Sequence, residues 1–476
     1  MISSDRTEIR MRSATSIADS VRSGRETAAA VVTASLDEIA RQNPVLNAFV
    51  AVNAERALAE AHALDRRIAA GEDPGPFAGV PFGVKDLEDL EGFPTVQGSL
   101  LHLNDPPARS DSIPVSRLRA AGAIALGKTA TPEFGLDSAT YSRAHGVTRN
   151  PWNTDMTPGG SSGGSSAAVA SGMVPIATAT DGGGSIREPA AFTGLIGLKP
   201  SHGRIPQENG FSSFSCKGAV NLTARDAARF LDIACGPDDR DRQSLPPPGF
   251  SYETAIEVLD VEGLRAVWSP DYGYAPVEPE VAEIARSAAE RLLLAARLER
   301  SRYEFRPTNI YPHWGRIALM NLRTEFERSG VLPEHRSQLS VQAQHYLDKI
   351  DAAGVVDVYP SEQEVRKLTV QVAELFRNAD LLLSPATATA PYQADGMITD
   401  VVAGQDASET GVEPFGMLAN FCWNPSISLP AGVTSDGLPV GLQITARRHH
   451  DDVLLRLARI FEGIQPVAFP WCRRIE

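Results

Sequence analysis

The chain has 476 residues, 42% of them hydrophobic and 22% charged, which is the ordinary balance of a globular protein with a large core. Its formal net charge of −14 predicts a surface that repels phosphate backbones, so we expect no nucleic acid partner. No apolar stretch approaches the roughly eighteen residues of a membrane span, and residues 1–12 lack the apolar core of a secretory signal. We therefore expect a cytoplasmic protein without membrane contact. The four cysteines are widely spaced and predict free thiols rather than a metal site or a disulfide framework.

Residues 15–70 carry apolar side chains at helical spacing and predict helices, one of them beginning after Thr27 and ending at Asn43 and Pro44. Between residues 75 and 220, short apolar runs alternate with turns rich in Gly, Ser and Pro, which predicts a sheet whose loops carry the chemistry. Further strands are predicted at 263–269, 381–383, 426–429 and 440–444, and helices at 222–235, 281–298 and 452–462. Strands that alternate with helices indicate an α/β architecture, and no linker divides the chain.

Residues 122–129 (GAIALGKT) match the pattern of a nucleotide-binding phosphate loop letter for letter. That pattern requires a loop with exposed backbone N–H groups followed by a helix. Here the four variable positions are apolar and suit a buried strand, and Pro132 biases Thr131 away from helical backbone angles. The segment therefore predicts a strand and not a nucleotide site.

Two serine clusters flanked by glycines lie in the segment that carries most information, GGSSGG at 159–164 and DGGGS at 181–185. A flexible Gly/Ser linker is the simplest alternative, but residues 167–170 and 174–177 between the clusters form apolar runs that linkers lack. Consecutive glycines let backbone N–H groups turn toward one point, as an acyl-transfer oxyanion requires beside its nucleophile. Ser185, which follows three glycines, is therefore the candidate nucleophile.

A nucleophilic serine needs a base, and none of the nine histidines lies in a comparable glycine-rich setting. Lys85 is the alternative, because Ser–Lys systems are known and residues 79–86 (GVPFGVKD) are apolar and rich in turns. Burial there would favour the neutral amine, which can accept a proton. Considered alone, Lys85 fits better the commoner case of a lysine that reaches solvent at the surface.

With these segments the chain resembles the amidase signature family, from about residue 30 to residue 465. The most specific blocks are residues 79–86, 127–135 (GKTATPEFG), 159–165, 180–189 (TDGGGSIREP), 197–200 and 437–443 (GLPVGLQ). The resemblance implies the α/β amidase signature fold, a large mixed, mostly parallel β-sheet core covered on both faces by α-helices. It further implies a single domain over 1–476, with N-terminal helices at about 15–70 and a variable substrate-pocket region at about 300–375.

The resemblance assigns a Ser–cis-Ser–Lys triad to Ser185, Ser161 and Lys85, with a cis peptide bond between Gly160 and Ser161. It implies an acyl-enzyme on Ser185 and needs neither a metal nor an organic cofactor. The oxyanion hole would be formed by the backbone N–H groups of Gly182, Gly183, Gly184 and Ser185. Supporting roles are expected for Ser162, Thr180, Asp181 and Arg187. Substrate-pocket candidates are Phe134, Tyr141, Phe192, Trp314 and Trp423.

The predicted function is that of an amidase that hydrolyses the carbon–nitrogen bond of a small amide, with a hydrophobic or aryl acyl group because the pocket candidates are apolar and aromatic. The alternative is the glutaminase-like A subunit of a tRNA-dependent amidotransferase, whose usual sequence differs from residues 201–210 and 215–218 here. A binding protein on a retired enzyme scaffold is a third interpretation, against which the intact triad argues. A homodimer is compatible with the resemblance.

Overall fold

The computed structural model describes residues 9–208, 213–328, 331–352, 358–395, 400–467, 469–470 and 472–475. Its helices alternate with strands along most of the chain, as the sequence predicts. They are α1 (Ala14–Arg22), α2 (Ala28–Leu46), α3 (Ala54–Ala69), α4 (Ile113–Ala120), α5 (Gly163–Ala170), α6 (Arg187–Thr193), α7 (Ala224–Ala234), α8 (Tyr252–Val258), α9 (Pro279–Ala295), α10 (Tyr311–Arg328), α11 (Val341–Ala352), α12 (Val358–Asn378), α13 (Met417–Phe421) and α14 (Asp451–Ile464).

The prediction that Asn43 and Pro44 end a helix is wrong, because α2 continues to Leu46. Pro44 lies in the last turn of α2, where its missing N–H costs one hydrogen bond only. The helix ends at Asn47, whose left-handed backbone (φ 50°, ψ 45°) provides the C-cap. The predicted start is confirmed, since the Thr27 hydroxyl accepts a hydrogen bond from the Ala30 N–H.

The strands are mostly short, and those predicted after residue 260 are confirmed. They are β1 (Ile9–Met11), β2 (Phe49–Val52), β3 (Pro81–Lys85), β4 (Ile124–Thr129), β5 (Tyr141–Ser142), β6 (Gly146–Val147), β7 (Ile176–Asp181), β8 (Ile196–Lys199), β9 (Cys216–Asn221), β10 (Arg265–Trp268), β11 (Glu299–Arg300), β12 (Leu381–Pro385), β13 (Val401–Val402), β14 (Gln405–Asp406), β15 (Ser426–Val433), β16 (Pro439–Ala446) and β17 (Cys472–Ile475). The phosphate-loop look-alike is the fully buried strand β4, as predicted.

Eleven strands form one sheet in the order β11-β10-β12-β16-β15-β8-β9-β7-β3-β4-β2. The sheet is mixed, as expected, but the expectation of a mostly parallel sheet is wrong. Among its ten described neighbour pairs, six are antiparallel and four are parallel. The reason is that β16 follows β15 directly as a hairpin and that β9 pairs in antiparallel fashion with both β7 and β8.

Both faces of the sheet are covered at strand β16, since every residue of that strand is buried. Leu442 and Ile444 belong to the main apolar core, whereas Gln443 between them faces the other way and bonds to Arg187 of α6. Helices α6, α9 and α14 all contact β16. The α/β fold class predicted from the sequence is therefore confirmed.

Residues 311–378 contain the helices α10, α11 and α12. Helices α11 and α12 both pack on α10, beside a second apolar cluster that includes Phe134 and Phe326. This cluster is separate from the main core on the sheet. None of the described helices combines the length and apolar character needed to cross a lipid bilayer.

Candidate active site

Three chain segments meet at the carboxyl ends of two neighbouring strands in the interior of the sheet. Strands β3 and β7 are parallel neighbours, with Phe82 opposite Ile176, so their carboxyl ends lie side by side. Lys85 is the last residue of β3, and β7 ends at Asp181. Helix α5, which follows Ser161 and Ser162, packs against both strands. The topology therefore brings the two serine clusters and the lysine of the sequence analysis to one place.

Lys85 is completely buried, and its ammonium nitrogen faces hydroxyl groups rather than a carboxylate. Its Nζ atom lies 2.8 Å from Ser161 Oγ, 2.8 Å from Ser162 Oγ and 2.9 Å from Thr180 Oγ1. Burial is the main reason why the pKa of Lys85 falls well below its ordinary value of 10.5, and the nearby Lys217 lowers it further while Glu88 and Asp181 oppose the shift. A lysine in this setting is suited to accept a proton.

The peptide bond between Gly160 and Ser161 is cis, as the family resemblance implied. Residue 160 has no room for a side chain, because a Cβ atom would stand 2.3 Å from the carbonyl oxygen of Asp137. The hydroxyl of the next residue, Ser161, lies beside Lys85.

Ser185 lies in the loop that connects β7 with α6, and its side chain is partly exposed. Within the described part of the chain, its hydroxyl is not among the hydrogen-bond partners of Lys85 or of Ser161. The structure thus brings Lys85 and Ser161 into direct contact and leaves Ser185 accessible on the neighbouring loop.

A buried ion pair fixes the base of this loop. Arg187 donates to both carboxylate oxygens of Asp181, at 3.0 Å and 2.8 Å, and both residues are almost completely inaccessible. Burial alone would raise the pKa of Asp181, but the charge and hydrogen bonds of Arg187 outweigh it and lower the pKa to about 2. The Asp181 carboxylate also accepts the N–H groups of Gly184 and Ile186, at 2.9 Å and 3.1 Å.

The four backbone N–H groups predicted for the oxyanion hole differ in their hydrogen-bond partners. The Gly184 N–H points to Asp181 and is therefore occupied, whereas the N–H groups of Gly182, Gly183 and Ser185 make no hydrogen bond within the described residues. The Gly182 carbonyl oxygen points away to Trp314, whose indole Nε1 donates to it at 2.8 Å.

The substrate-pocket candidates do not gather around the loop as a group. Trp314 contacts it directly, but Phe192 is completely buried in α6 and Phe134 belongs to the second apolar cluster. Tyr141 is 50% exposed, and Trp423 stacks on the imidazole of His202 with ring centroids 4.4 Å apart.

Four neighbours of the site escaped the sequence analysis as individual residues. The Thr178 hydroxyl accepts the Lys85 backbone N–H at 3.0 Å, and Lys217 pairs with Glu88 at 3.4 Å. Asn420 and Gln443 both accept hydrogen bonds from Arg187, at 2.7 Å and 2.9 Å. Gln443 stands in the GLPVGLQ block, which could have drawn attention to it, whereas nothing in the sequence marks Asn420.

Comparison with known proteins shows the family to which the chain belongs. The sequence profile of the family described as Amidase matches residues 30–455. The chain is 37% identical to an acylamidase of Rhodococcus erythropolis, over 96% of both proteins. It is 34% identical to the A subunit of the glutamyl-tRNA(Gln) amidotransferase of Synechococcus sp. (strain RCC307), over 93% of this chain and 95% of that protein. The crystal structure of a bacterial aryl acylamidase superimposes with a TM-score of 0.89, at 29% identity, over 96% of this chain and 97% of that one.

The match to the family profile covers most of the chain, and both the sequence relatives and the solved structure extend over nearly all of it. The chain belongs to the amidase family. It is accordingly an amide hydrolase.

Proposed function

We propose that the protein hydrolyses the amide bond of a small molecule through an acyl-enzyme on Ser185, with Ser161 and Lys85 as the proton relay. The observation that carries this proposal is the hydrogen bond from the completely buried Lys85 to Ser161. A buried amine that faces three hydroxyl groups, with its pKa well below the ordinary value, is neutral often enough to act as a base.

The reaction would begin with attack of Ser185 Oγ on the carbonyl carbon. The Ser185 proton passes to Ser161, while the Ser161 proton passes to Lys85 Nζ. When the carbon–nitrogen bond breaks, Ser161 returns a proton to the leaving amine and recovers one from Lys85. Water then attacks the ester on Ser185 by the reverse relay and releases the carboxylic acid.

The tetrahedral intermediate would be stabilised by backbone N–H groups of the loop 182–185. Gly182, Gly183 and Ser185 are the donors that we assign, since the Gly184 N–H is held by Asp181. Two contacts support the preorganisation of the loop, one from Arg187 through Asp181 and one from Trp314 to the Gly182 carbonyl oxygen.

The acyl group is expected to lie against Trp314, the pocket candidate that contacts the nucleophile loop. The relatives named acylamidase and aryl acylamidase support a small acyl amide as substrate. Roles for Phe134, Tyr141, Phe192 and Trp423 in the pocket are a weaker part of the proposal, because the first and third are buried and the other two lie in exposed positions.

Replacement of the nucleophile is the direct test. The Ser185→Ala variant should lose hydrolysis of an anilide while retaining its unfolding temperature, since only one partly exposed hydroxyl is removed. Ser408→Ala, at an exposed position, is the matched control and should keep full activity. A fluorophosphonate probe should label the control at Ser185 and leave the first variant unlabelled. Unchanged turnover in Ser185→Ala would exclude Ser185 as the nucleophile.

The alternative is an amidotransferase A subunit, to which the chain is also related. The two functions differ in what the isolated chain can do. A free-standing amidase hydrolyses simple acyl amides alone, whereas a glutaminase subunit would require its partner subunits and would prefer glutamine. Turnover of an anilide by the purified chain, without turnover of glutamine, would favour the amidase.

A further inference from the structure

Three acidic side chains lie together beside the nucleophile loop without a part in the proposed relay. Glu413 accepts a hydrogen bond from the Ser138 hydroxyl at 2.5 Å, and its other oxygen lies close to Gly184. A Cβ atom on Gly184, whose φ is +147°, would stand 2.4 Å from that oxygen. Glu188 in α6 and Asp137 next to Ser138 are the other two acids. We call Asp137, Glu188, Glu413 and the phenol of Tyr392 the acidic recess.

The acidic recess contains several hydrogen-bond acceptors without a donor. Glu188 is 1% exposed and lies near the Gly160 N–H and the Glu413 carboxyl group, but neither of its carboxylate oxygens makes a hydrogen bond of good geometry within the described residues. Within the same described part of the chain, Glu413 Oε2 and the Tyr392 hydroxyl are also unpartnered. The Glu188 and Glu413 carboxyl groups lie close enough to share one proton, and a shared proton would still leave further acceptors free. Buried polar groups are normally hydrogen-bonded, so such a cluster of acceptors indicates that a donor from outside the chain completes it.

The carboxyl groups of the recess lack a cationic partner in the described part of the protein. No lysine or arginine of the described residues forms an ion pair with Asp137, Glu188 or Glu413, and the nearby Arg187 is held by Asp181. Burial raises the pKa of Asp137 to about 6 and that of Glu413 to about 7. Burial, together with the charges of Glu413 and Asp137, raises the pKa of Glu188 well above its usual range. Burial thus opposes the ionisation of these carboxyl groups near neutral pH, and a bound cation would offset that cost and stabilise their charged form.

Aromatic side chains lie near the acids of the recess. Tyr311, Trp314 and Tyr346 are all partly exposed, and the rings of Trp314 and Tyr346 meet edge to face with centroids 6.3 Å apart. Burial and then the charge of Glu413 raise the pKa of Tyr311 to about 12, so the Tyr311 hydroxyl lies close to the acidic recess. Carboxylates combined with aromatic faces are typical of sites for organic ammonium groups. Within the described residues, no group of three or more His, Cys, Asp or Glu side chains is arranged to hold a metal ion.

We propose that the acidic recess binds a protonated amine in the acyl half of the substrate, so that the preferred substrates are amides of short amino acids. An ammonium group offers three N–H donors to the unpartnered oxygens of Glu188 and Glu413. Glu413 lies against Gly184, the residue before the nucleophile Ser185. A substrate that reaches both groups therefore has only a few bonds between its ammonium group and its scissile carbonyl. The inference rests on the proposed function and adds a substrate class to it.

Two pairs of anilides of nearly equal shape test the inference. Glycine anilide carries an ammonium group where propionanilide carries a methyl group. β-Alanine anilide and butyranilide differ in the same way, with the ammonium or methyl group one carbon further from the carbonyl. Their dissociation constants are measured by calorimetry at neutral pH on the Ser185→Ala variant, which removes turnover. We expect the ammonium member of at least one pair to bind about tenfold more tightly than its neutral partner, the effect of one charge-assisted hydrogen bond.

The source of this preference is tested by removing the charge of Glu413. Glu413→Gln in the same background should lower the ratio of the two dissociation constants about tenfold, while Glu299→Gln, exposed on β11, should leave the ratio unchanged. Asp137→Asn serves as a second variant if the first does not fold. Equal binding within both pairs, or a ratio that neither Glu413→Gln nor Asp137→Asn changes, would overturn the inference.

The experiment separates the inference from the proposed function. Wild-type protein that hydrolyses propionanilide without preference for the ammonium substrates retains the proposed function and loses the inference. Failure to hydrolyse any of the four anilides counts against the proposed function, and the binding ratios on Ser185→Ala still decide the inference.

Discussion

Two buried lysines stand on adjacent strands of the sheet and have opposite surroundings. Lys85 ends β3 and donates to three hydroxyl groups, whereas Lys128 on β4 lies 3.3 Å from the buried carboxylate of Asp86. They are neighbours in register, since Lys128 pairs with Val84. Burial lowers the pKa of both, and carboxylate charges oppose the shift at both, but only at Lys128 does the opposing charge come from a carboxylate in direct contact, that of Asp86.

The comparison shows that burial by itself does not make a base. A carboxylate partner stabilises the charged amine, which then serves structure. Hydroxyl partners accept hydrogen bonds without supplying negative charge, so the neutral amine becomes accessible and a proton can move along the hydroxyl groups. The Lys85 region is therefore suited to chemistry and the Lys128 region to stability.

Removal of the Ser161 hydroxyl, which accepts a hydrogen bond from Lys85, should have the largest effect on activity. Ser161→Ala removes the proposed path from Lys85 both to the nucleophile and to the leaving nitrogen, so amide hydrolysis should fall by roughly 10⁴-fold. An ester with a good leaving group should be impaired less, because its departure needs little protonation. Rates for a matched amide and ester check this. Ser171→Ala, a buried serine at the end of α5, should retain activity. An equal loss for amide and ester would show that Ser161 does not protonate the leaving group.

Removal of the amine from each lysine in turn sharpens the contrast. Lys85→Met should reduce amide hydrolysis by roughly 10²–10⁴-fold, the usual contribution of a general base, without lowering the free energy of unfolding. The fold is expected to tolerate the change because burial already opposes the charge of Lys85. Steady-state rates and chemical denaturation of the same preparation measure both quantities. A strongly destabilised Lys85→Met variant would contradict the proposed division of roles.

Lys128→Met should have the opposite pattern. It leaves the Asp86 carboxylate buried without its lysine, and such a loss costs about 3–5 kcal/mol of unfolding free energy. Denaturant titration measures the loss of unfolding free energy. Lys367→Met is the control, because it removes only an exposed ion pair with Glu364 and should change stability by at most about 1 kcal/mol. Asp86→Asn combined with Lys128→Met should recover part of the loss. Equal stability of the two lysine variants would mean that the Asp86 pair is not structural.

The smallest expected effect is a pH dependence with a definite sign. The folded-state pKa of Lys85 is lowered, so between that pKa and 10.5 the unfolded chain binds more protons at this residue. Its contribution to stability must therefore rise with pH across that window. The difference in unfolding free energy between wild type and Lys85→Met should become more favourable to wild type as pH increases. Amide hydrolysis should fall as pH drops, since protonated Lys85 cannot act as a base. A stability difference independent of pH would contradict the lowered pKa.

The local pattern of the sequence predicted most helices and strands, because apolar periodicity reports which face of an element is buried. It failed at Pro44, since the tolerance of a last helical turn for proline depends on the cap that follows. It also failed on strand direction. Whether neighbouring strands run parallel depends on which segments pair, as β9 does with β7 and β8, and single-segment patterns contain no such information.

The sequence by itself singled out the two serine clusters and Lys85 as candidate site residues, because glycine runs, serines and an apolar lysine segment are visible without any partner. Only the tertiary structure decided that Lys85 faces hydroxyl groups while Lys128 faces Asp86. It also decided that Gly184 gives its N–H to Asp181, and that Glu188 and Glu413 meet beside that loop. Glu188 and Glu413 are 225 positions apart in the chain, and their proximity arises from packing between elements, which a local sequence pattern does not encode.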